Sequence, residues 1–126
     1  RTNAEGGRQL ASLLEGQGLT SSFVDVCALP GLLHLKSGLA WVGERRMVVL
    51  DALRGHPALR GWTAIPIARG EEYAANCVLL GEHVLVPAGF PALASALRGL
   101  GLAPLALEVS EFRKMDGGLS CLSLRF

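Results

Sequence analysis

Two side chains in this sequence have the pattern of a thiol nucleophile and its acid/base partner. Cys121 closes the run Met115-Asp116-Gly117-Gly118-Leu119-Ser120-Cys121, where a charged stretch falls into two glycines just before an apolar segment. Glycines let a loop pass close to a ligand with no side chain in the way. A cysteine at the mouth of such a loop attacks as the thiolate, so its surroundings must stabilise negative sulfur. His34 lies in Leu33-His34-Leu35-Lys36-Ser37, just after the Pro30-Gly31 turn. Imidazole titrates at ~6.5, close to the pH of the cell, and suits proton transfer in either direction. A buried strand cysteine and a structural histidine are the competing readings, and pattern alone leaves both open.

The remaining candidates read as framework. Cys27 and Cys77 sit in strand-like apolar runs without a glycine lead-in and are expected in the core. His56, before Pro57, and His83, at a hairpin turn, are expected in solvent. Glu44-Arg45-Arg46 and Arg69-Gly70-Glu71-Glu72 read as turn and loop charges. The three cysteines are widely spaced and show no Cys-x-x-Cys, and no His/Cys/Asp group has ligand spacing. Neither a metal nor another cofactor is therefore expected, and the thiols read as free in a reducing cytoplasm.

These residues need a scaffold, and the periodicities supply one. Leu10, Leu13 and Leu14 recur at helical spacing within Glu5–Gln17, and Gly16 and Gly18 supply stop signals. Ser21–Ala28 reads as a short buried strand. Leu39–Val42 and Met47–Leu50 flank a polar turn and predict a hairpin, followed by a helical stretch to Leu59 and a strand over Thr63–Ile67. Cys77–Leu80 and His83–Val86 predict a second hairpin, Pro91–Leu100 a helix, and Pro104–Val109 a strand. Leu119–Leu124 reads as a last strand. Hairpin, helix and strand thus occur twice and begin a third time, a repeat of roughly 40 residues.

The chain has 126 residues, half of them hydrophobic, with 12 Lys+Arg against 11 Asp+Glu. One globular unit is expected. A near-neutral chain without basic runs has no electrostatic footprint for nucleic acid. No apolar stretch approaches the ~20 residues of a membrane helix, and the opening Arg-Thr-Asn-Ala-Glu-Gly-Gly does not read as a signal peptide. A first residue other than Met, leading straight into a helical pattern, suggests a piece of something longer.

Three segments together resemble the dimethylarginine dimethylaminohydrolase family, within the guanidine-modifying enzymes of pentein fold. They are Arg1-Thr2-Asn3-Ala4-Glu5-Gly6, Leu33-His34-Leu35-Lys36-Ser37, and Ser110-Glu111-Phe112 with Lys114 through Cys121; Ala74-Ala75-Asn76-Cys77 resembles the family's intervening strand. Each motif is weak by itself, and their order and separations make the set specific. The resemblance covers about the C-terminal half of a family member. It implies an α+β fold, a partial pentein (α/β propeller) of repeated ββαβ-like units, roughly the last two and a half of five. On that reading residues 1–126 form the C-terminal part of one catalytic domain whose N-terminal part is absent.

The resemblance also implies roles. Cys121 would attack the guanidinium carbon of Nω,Nω-dimethylarginine or monomethylarginine, forming a covalent thiouronium. His34 would protonate the departing amine and then activate the water that releases citrulline. Ser37 would line the pocket, Arg1 would hold the substrate α-carboxylate, the carbonyl of Met115 would face the α-amino group, and Asp116 would sit in the nucleophile loop. The carboxylates that grip the guanidinium and orient the histidine would come from the N-terminal half, so that half or a second chain is the expected partner. An arginine deiminase-like hydrolase and a non-catalytic remnant retaining the fold are the alternative readings.

Overall fold

The computed structural model describes residues 2–124. Helix α1 (Ala4–Glu15) opens it, capped by Asn3, whose side chain accepts from Gly6 N at 2.8 Å. This helix has no buried residue, and Leu10 and Leu13 on its apolar side are exposed. Its close packing partner is Phe23, which lies so near Gly7 that a Cβ there would meet the ring at 2.4 Å.

Two sheets of three strands follow, built to one plan. In the first, β1 (Leu39–Trp41) pairs antiparallel with β2 (Arg46–Val49), and β2 pairs parallel with β3 (Thr63–Pro66). In the second, β4 (Val78–Leu80) pairs antiparallel with β5 (His83–Pro87), and β5 pairs parallel with β6 (Ala103–Leu107). A parallel pair cannot be joined by a tight turn and needs a crossover. In the second sheet that crossover is helix α2 (Pro91–Gly99); in the first it is two 3-10 turns, Asp51–Leu53 and Pro57–Leu59. Both units are ββαβ-like, as expected, and the predicted helical stretch to Leu59 is reduced to those turns.

One hydrophobic core joins the sheets. Val48 from β2, Ile65 from β3, and Val84 and Val86 from β5 meet Leu93 and Leu97 of α2, together with Ala74, Ala75 and Cys77. Leu93 and Leu97 stand four apart on one helix face, and Val84 and Val86 two apart on one strand face, the two periods that let apolar residues share a side. Helix α2 begins at Pro91 without a capping side chain of its own. The Glu71 carboxylate does that work from the preceding segment, accepting from Ala92 N at 2.9 Å and Leu93 N at 2.8 Å. Glu71 is therefore a structural crosslink, where the sequence suggested a loop charge.

Two strand expectations are corrected. Residues 21–28 form no strand and are mostly exposed, so Cys27 lies in solvent and not in the core. After β6 comes the short helix α3 (Ser110–Arg113), and residues 119–122 form turns where a strand was expected. The repeat accordingly occurs twice among the described residues and does not start a third time. His83 is exposed, as read from the turn, whereas His56 is half-buried and its Nδ1 accepts from Ala58 N at 3.1 Å. Among the described residues, no helix is long and apolar enough to cross a membrane.

Candidate active site

The site is assembled from the connections that flank the two sheets. Before β1, His34 precedes a 3-10 turn over Leu35–Ser37, with Ser37 N donating to the His34 carbonyl at 2.9 Å. The turn is pinned to the first sheet by Gly38, whose carbonyl accepts from Leu50 N at 2.9 Å. A Cβ on Gly38 would meet the terminal methyls of Leu50 at 2.9 Å and Leu32 at 3.0 Å, so a larger residue would have to push these side chains aside.

Beyond β6, α3 unwinds into the loop that leads to Cys121. The Phe112 carbonyl accepts from both Met115 N and Gly117 N, and Asp116 takes a left-handed backbone at φ 55°. A Cβ on Gly117 would stand 2.9 Å from that carbonyl. The chain then turns over Gly118–Cys121, with Cys121 N donating to the Gly118 carbonyl at 3.0 Å, and Leu119 is buried against Val78 and Val109. Buried Leu119 anchors a turn that leaves Cys121 exposed.

Between these connections lies a cavity of about 880 Å³ lined by His34, Ser37, Met115, Asp116 and Cys121. Five of the six residues singled out in the sequence thus face one space. The sixth, Arg1, lies outside the described residues. Sequence reasoning assigned no role to four further lining residues: Glu72, Tyr73, Asn76 and Arg113. Tyr73 donates through its hydroxyl to the Gly117 carbonyl at 2.6 Å, and the Arg113 guanidinium lies over the Tyr73 and Phe90 rings at 4.7 Å and 5.6 Å. Asn76 is the buried polar residue of the core, only 5 % exposed. Its one sequence signal was its place in Ala74-Ala75-Asn76-Cys77, where an apolar run hid it.

The three thiols have different electrostatic surroundings. Cys121 is held below the ordinary thiol value, first by a backbone hydrogen bond at Gly118, then by the positive charge of Lys36 and by the Asn76 side chain, against some opposing desolvation. Burial pushes Cys77 up to about 12. Cys27, although exposed, is raised by its neighbour Asp25, first through a side-chain hydrogen bond and then through its charge. Of the three, Cys121 alone combines access with a stabilised thiolate.

No protein-family model matches this sequence. It is 41% identical over 126 residues to the N(G),N(G)-dimethylarginine dimethylaminohydrolase of Pseudomonas aeruginosa, covering 100% of this chain and 48% of that protein. The Streptomyces coelicolor protein of the same name is 34% identical, with 99% of this chain and 46% of that protein covered. Among solved structures, the P. aeruginosa protein complexed with citrulline superposes at a TM-score of 0.91 with 40% identity, over 100% of this chain and 48% of that one. In sequence and in fold, the match is to the dimethylarginine dimethylaminohydrolase family.

The chain spans about half the length of the dimethylarginine dimethylaminohydrolases it matches. An amidinotransferase from Microseira wollei shares the fold at a TM-score of 0.79 and 20% identity, over 98% of this chain and 38% of that one. The repeated ββαβ-like units are thus those of a pentein, and the dimethylarginine dimethylaminohydrolase likeness extends from α1 through the Cys121 loop.

Proposed function

We propose that this chain supplies the nucleophile, the acid/base and part of the substrate pocket for hydrolysis of Nω-methylated arginine to citrulline and a methylamine. The observation that carries the reading is the single cavity in which His34, Ser37, Asp116 and Cys121 converge from segments far apart in sequence. Two relatives' structures support it. One is a cysteine-to-serine mutant complexed with citrulline, the other a histidine-to-glycine adduct with S-methyl-L-thiocitrulline. The substituted cysteine and histidine stand the same number of residues apart there as Cys121 and His34 do here.

In this reading the Cys121 sulfur bonds to the guanidinium carbon, the carbon–nitrogen bond to the methylated nitrogen breaks, and His34 gives that nitrogen its proton. Water then attacks the thiouronium carbon, His34 takes a proton from it, and the carbon–sulfur bond breaks to return the thiolate and release citrulline. A guanidinium is resonance-stabilised and a poor electrophile, so splitting the hydrolysis into two displacements lowers each barrier. Ser37 lines the pocket, Arg1 holds the α-carboxylate through its planar donor fork, the Met115 carbonyl receives the α-amino group, and Asp116 shapes the loop. The carboxylates that grip the guanidinium and orient His34 come from outside this chain, from the rest of a full-length enzyme or from a second chain. The exposed Leu10 and Leu13 suit such a contact. The three free cysteines suit the cytoplasm as its location.

The test is covalent capture by a chloroacetamidine-type guanidinium mimic, read by peptide mass spectrometry. Selective labelling of Cys121, weakened in His34→Ala and accompanied by citrulline formation when a partner half is supplied, is the expected result. Equal labelling of Cys121 and Cys27 would remove the reading, because Cys121 would then gain nothing from a guanidinium pocket or from its stabilised thiolate.

A further inference from the structure

Besides the packing of Leu119, the nucleophile loop is held by side-chain hydrogen bonds from one short segment, residues 73–76, in the connection between the two sheets. Tyr73 holds the Gly117 carbonyl at 2.6 Å. Three residues on, Asn76 makes two contacts. Its Oδ1 accepts from Ser120 N at 2.9 Å, and its Nδ2 lies 3.8 Å from the Cys121 sulfur, within hydrogen-bonding reach of sulfur. The orientation of this amide follows from chemistry. A backbone N–H can only donate, so the atom facing Ser120 N must be the oxygen, and the atom facing sulfur must be the NH2.

The fit around Asn76 is close. A Cβ on Gly118 would stand 2.4 Å from Nδ2, so the second glycine of the loop is required by this amide and not only by a ligand. Asn76 is flanked by Ala75 and Cys77, both in the core, so its backbone cannot drift without disturbing that packing.

We propose that Asn76 is the positioning residue of the nucleophile, fixing the Gly118–Cys121 turn through its carbonyl oxygen and donating to the Cys121 sulfur through its NH2. The inference rests on reading Cys121 as the attacking thiol and adds a residue to that role. A buried amide suits the task, because it donates to a developing thiolate without adding positive charge beside a cationic guanidinium. The other polar groups lining the cavity with this sulfur are His34 and Ser37 from the turn before β1, Glu72 and Tyr73 from the inter-sheet connection, Arg113 from α3, and Asp116 from the loop; Lys36 acts on it through its charge.

The test is alkylation of Cys121 by iodoacetamide across neutral to alkaline pH in the full chain, with hydrogen exchange read at the Ser120 amide. Asn76→Asp keeps an acceptor for Ser120 N but replaces the donor that faces sulfur with oxygen. The expected result is a protected Ser120 amide, an alkylation midpoint raised by about one pH unit, and labelling near neutral pH slowed about tenfold. Asn76→Ala should raise the midpoint less and also release the Ser120 amide. A wild-type midpoint in both variants would overturn the proposal. Should Asn76→Asp not fold, Gly118→Ala probes the same contact from the loop side. Its methyl displaces the amide from sulfur and raises the midpoint if the proposal holds, and leaves it unchanged if not.

Iodoacetamide needs no guanidine recognition. A shifted midpoint without capture of the guanidinium mimic would therefore remove the hydrolase reading and keep this one; the reverse pattern would remove this one alone.

Discussion

Cys77 follows Asn76 in sequence and Cys121 meets it in space, and the two thiols differ in the properties that govern reactivity. Cys77 is 3% exposed among the core residues that join the sheets, and burial pushes it up to about 12. Cys121 sits in a turn outside both sheets, exposed, with a backbone hydrogen bond, the Lys36 charge and an amide stabilising its negative form. The difference shows how little a cysteine's immediate neighbours in sequence say about its chemistry. Both follow a small or polar residue and precede a leucine or valine. One enters a strand whose face is covered; the other follows a pair of glycines that take the chain out of regular structure.

The comparison is broken most completely by removing Cys121. Cys121→Ala should abolish covalent capture of a guanidinium mimic, and His34→Ala should slow turnover by about 10²- to 10⁴-fold in any preparation that hydrolyses methylarginine. Loss of capture in Cys77→Ala instead, read by the same peptide mapping, would reverse the assignment of the two thiols.

The contrast is sharpened by simple alkylation of the native chain. At a pH of about 8, a thiol with a pKa of about 12 is ionised to about one part in ten thousand, and Cys77 is also shielded from reagent. Time-resolved labelling should therefore modify Cys121 at least about a thousandfold faster than Cys77, with the two rates converging in denaturant.

The smallest effect lies in stability. The folded-state value of Cys77 is raised above its unfolded one, so its contribution is fully present below about 9 and is lost as the pH rises toward about 12. Over that window, unfolding free energy from denaturant titrations should fall by about 1.4 kcal/mol per pH unit from this group. Cys77→Ala should remove that component of the slope while lowering stability at neutral pH by about 1 kcal/mol.

Much of this was legible in the amino acids themselves. The two hairpins showed as apolar runs around polar turns, α2 as a stretch between Pro91 and Gly99, and the loop that exposes Cys121 as glycines ahead of a cysteine. What was not legible shares one physical cause. Residues 21–28 have the β-branched and aromatic content of a strand but no partner strand among the described residues, and strand propensity is mostly a matter of packing against neighbours. Leu119–Leu124 has strand-like apolarity, yet the Gly118 carbonyl accepts from both Cys121 N and Leu122 N and closes a turn instead. Asn76 looked like one polar residue in a buried run, because its partners lie 44 and 45 positions away.

Those contacts bear on how the molecule comes apart. Each sheet is held by backbone ladders, whereas the loop over residues 117–121 is held by side-chain hydrogen bonds from Tyr73 and Asn76 and by the packing of Leu119. Both ties run to a loop that lies outside the ladders of either sheet, so they can open without breaking a strand pair. Gentle denaturation should therefore detach the loop while both sheets remain paired. The chain would then keep its strand content after the cavity around Cys121 had come apart, and thiol reactivity would be a finer gauge of its integrity than any measure of secondary structure.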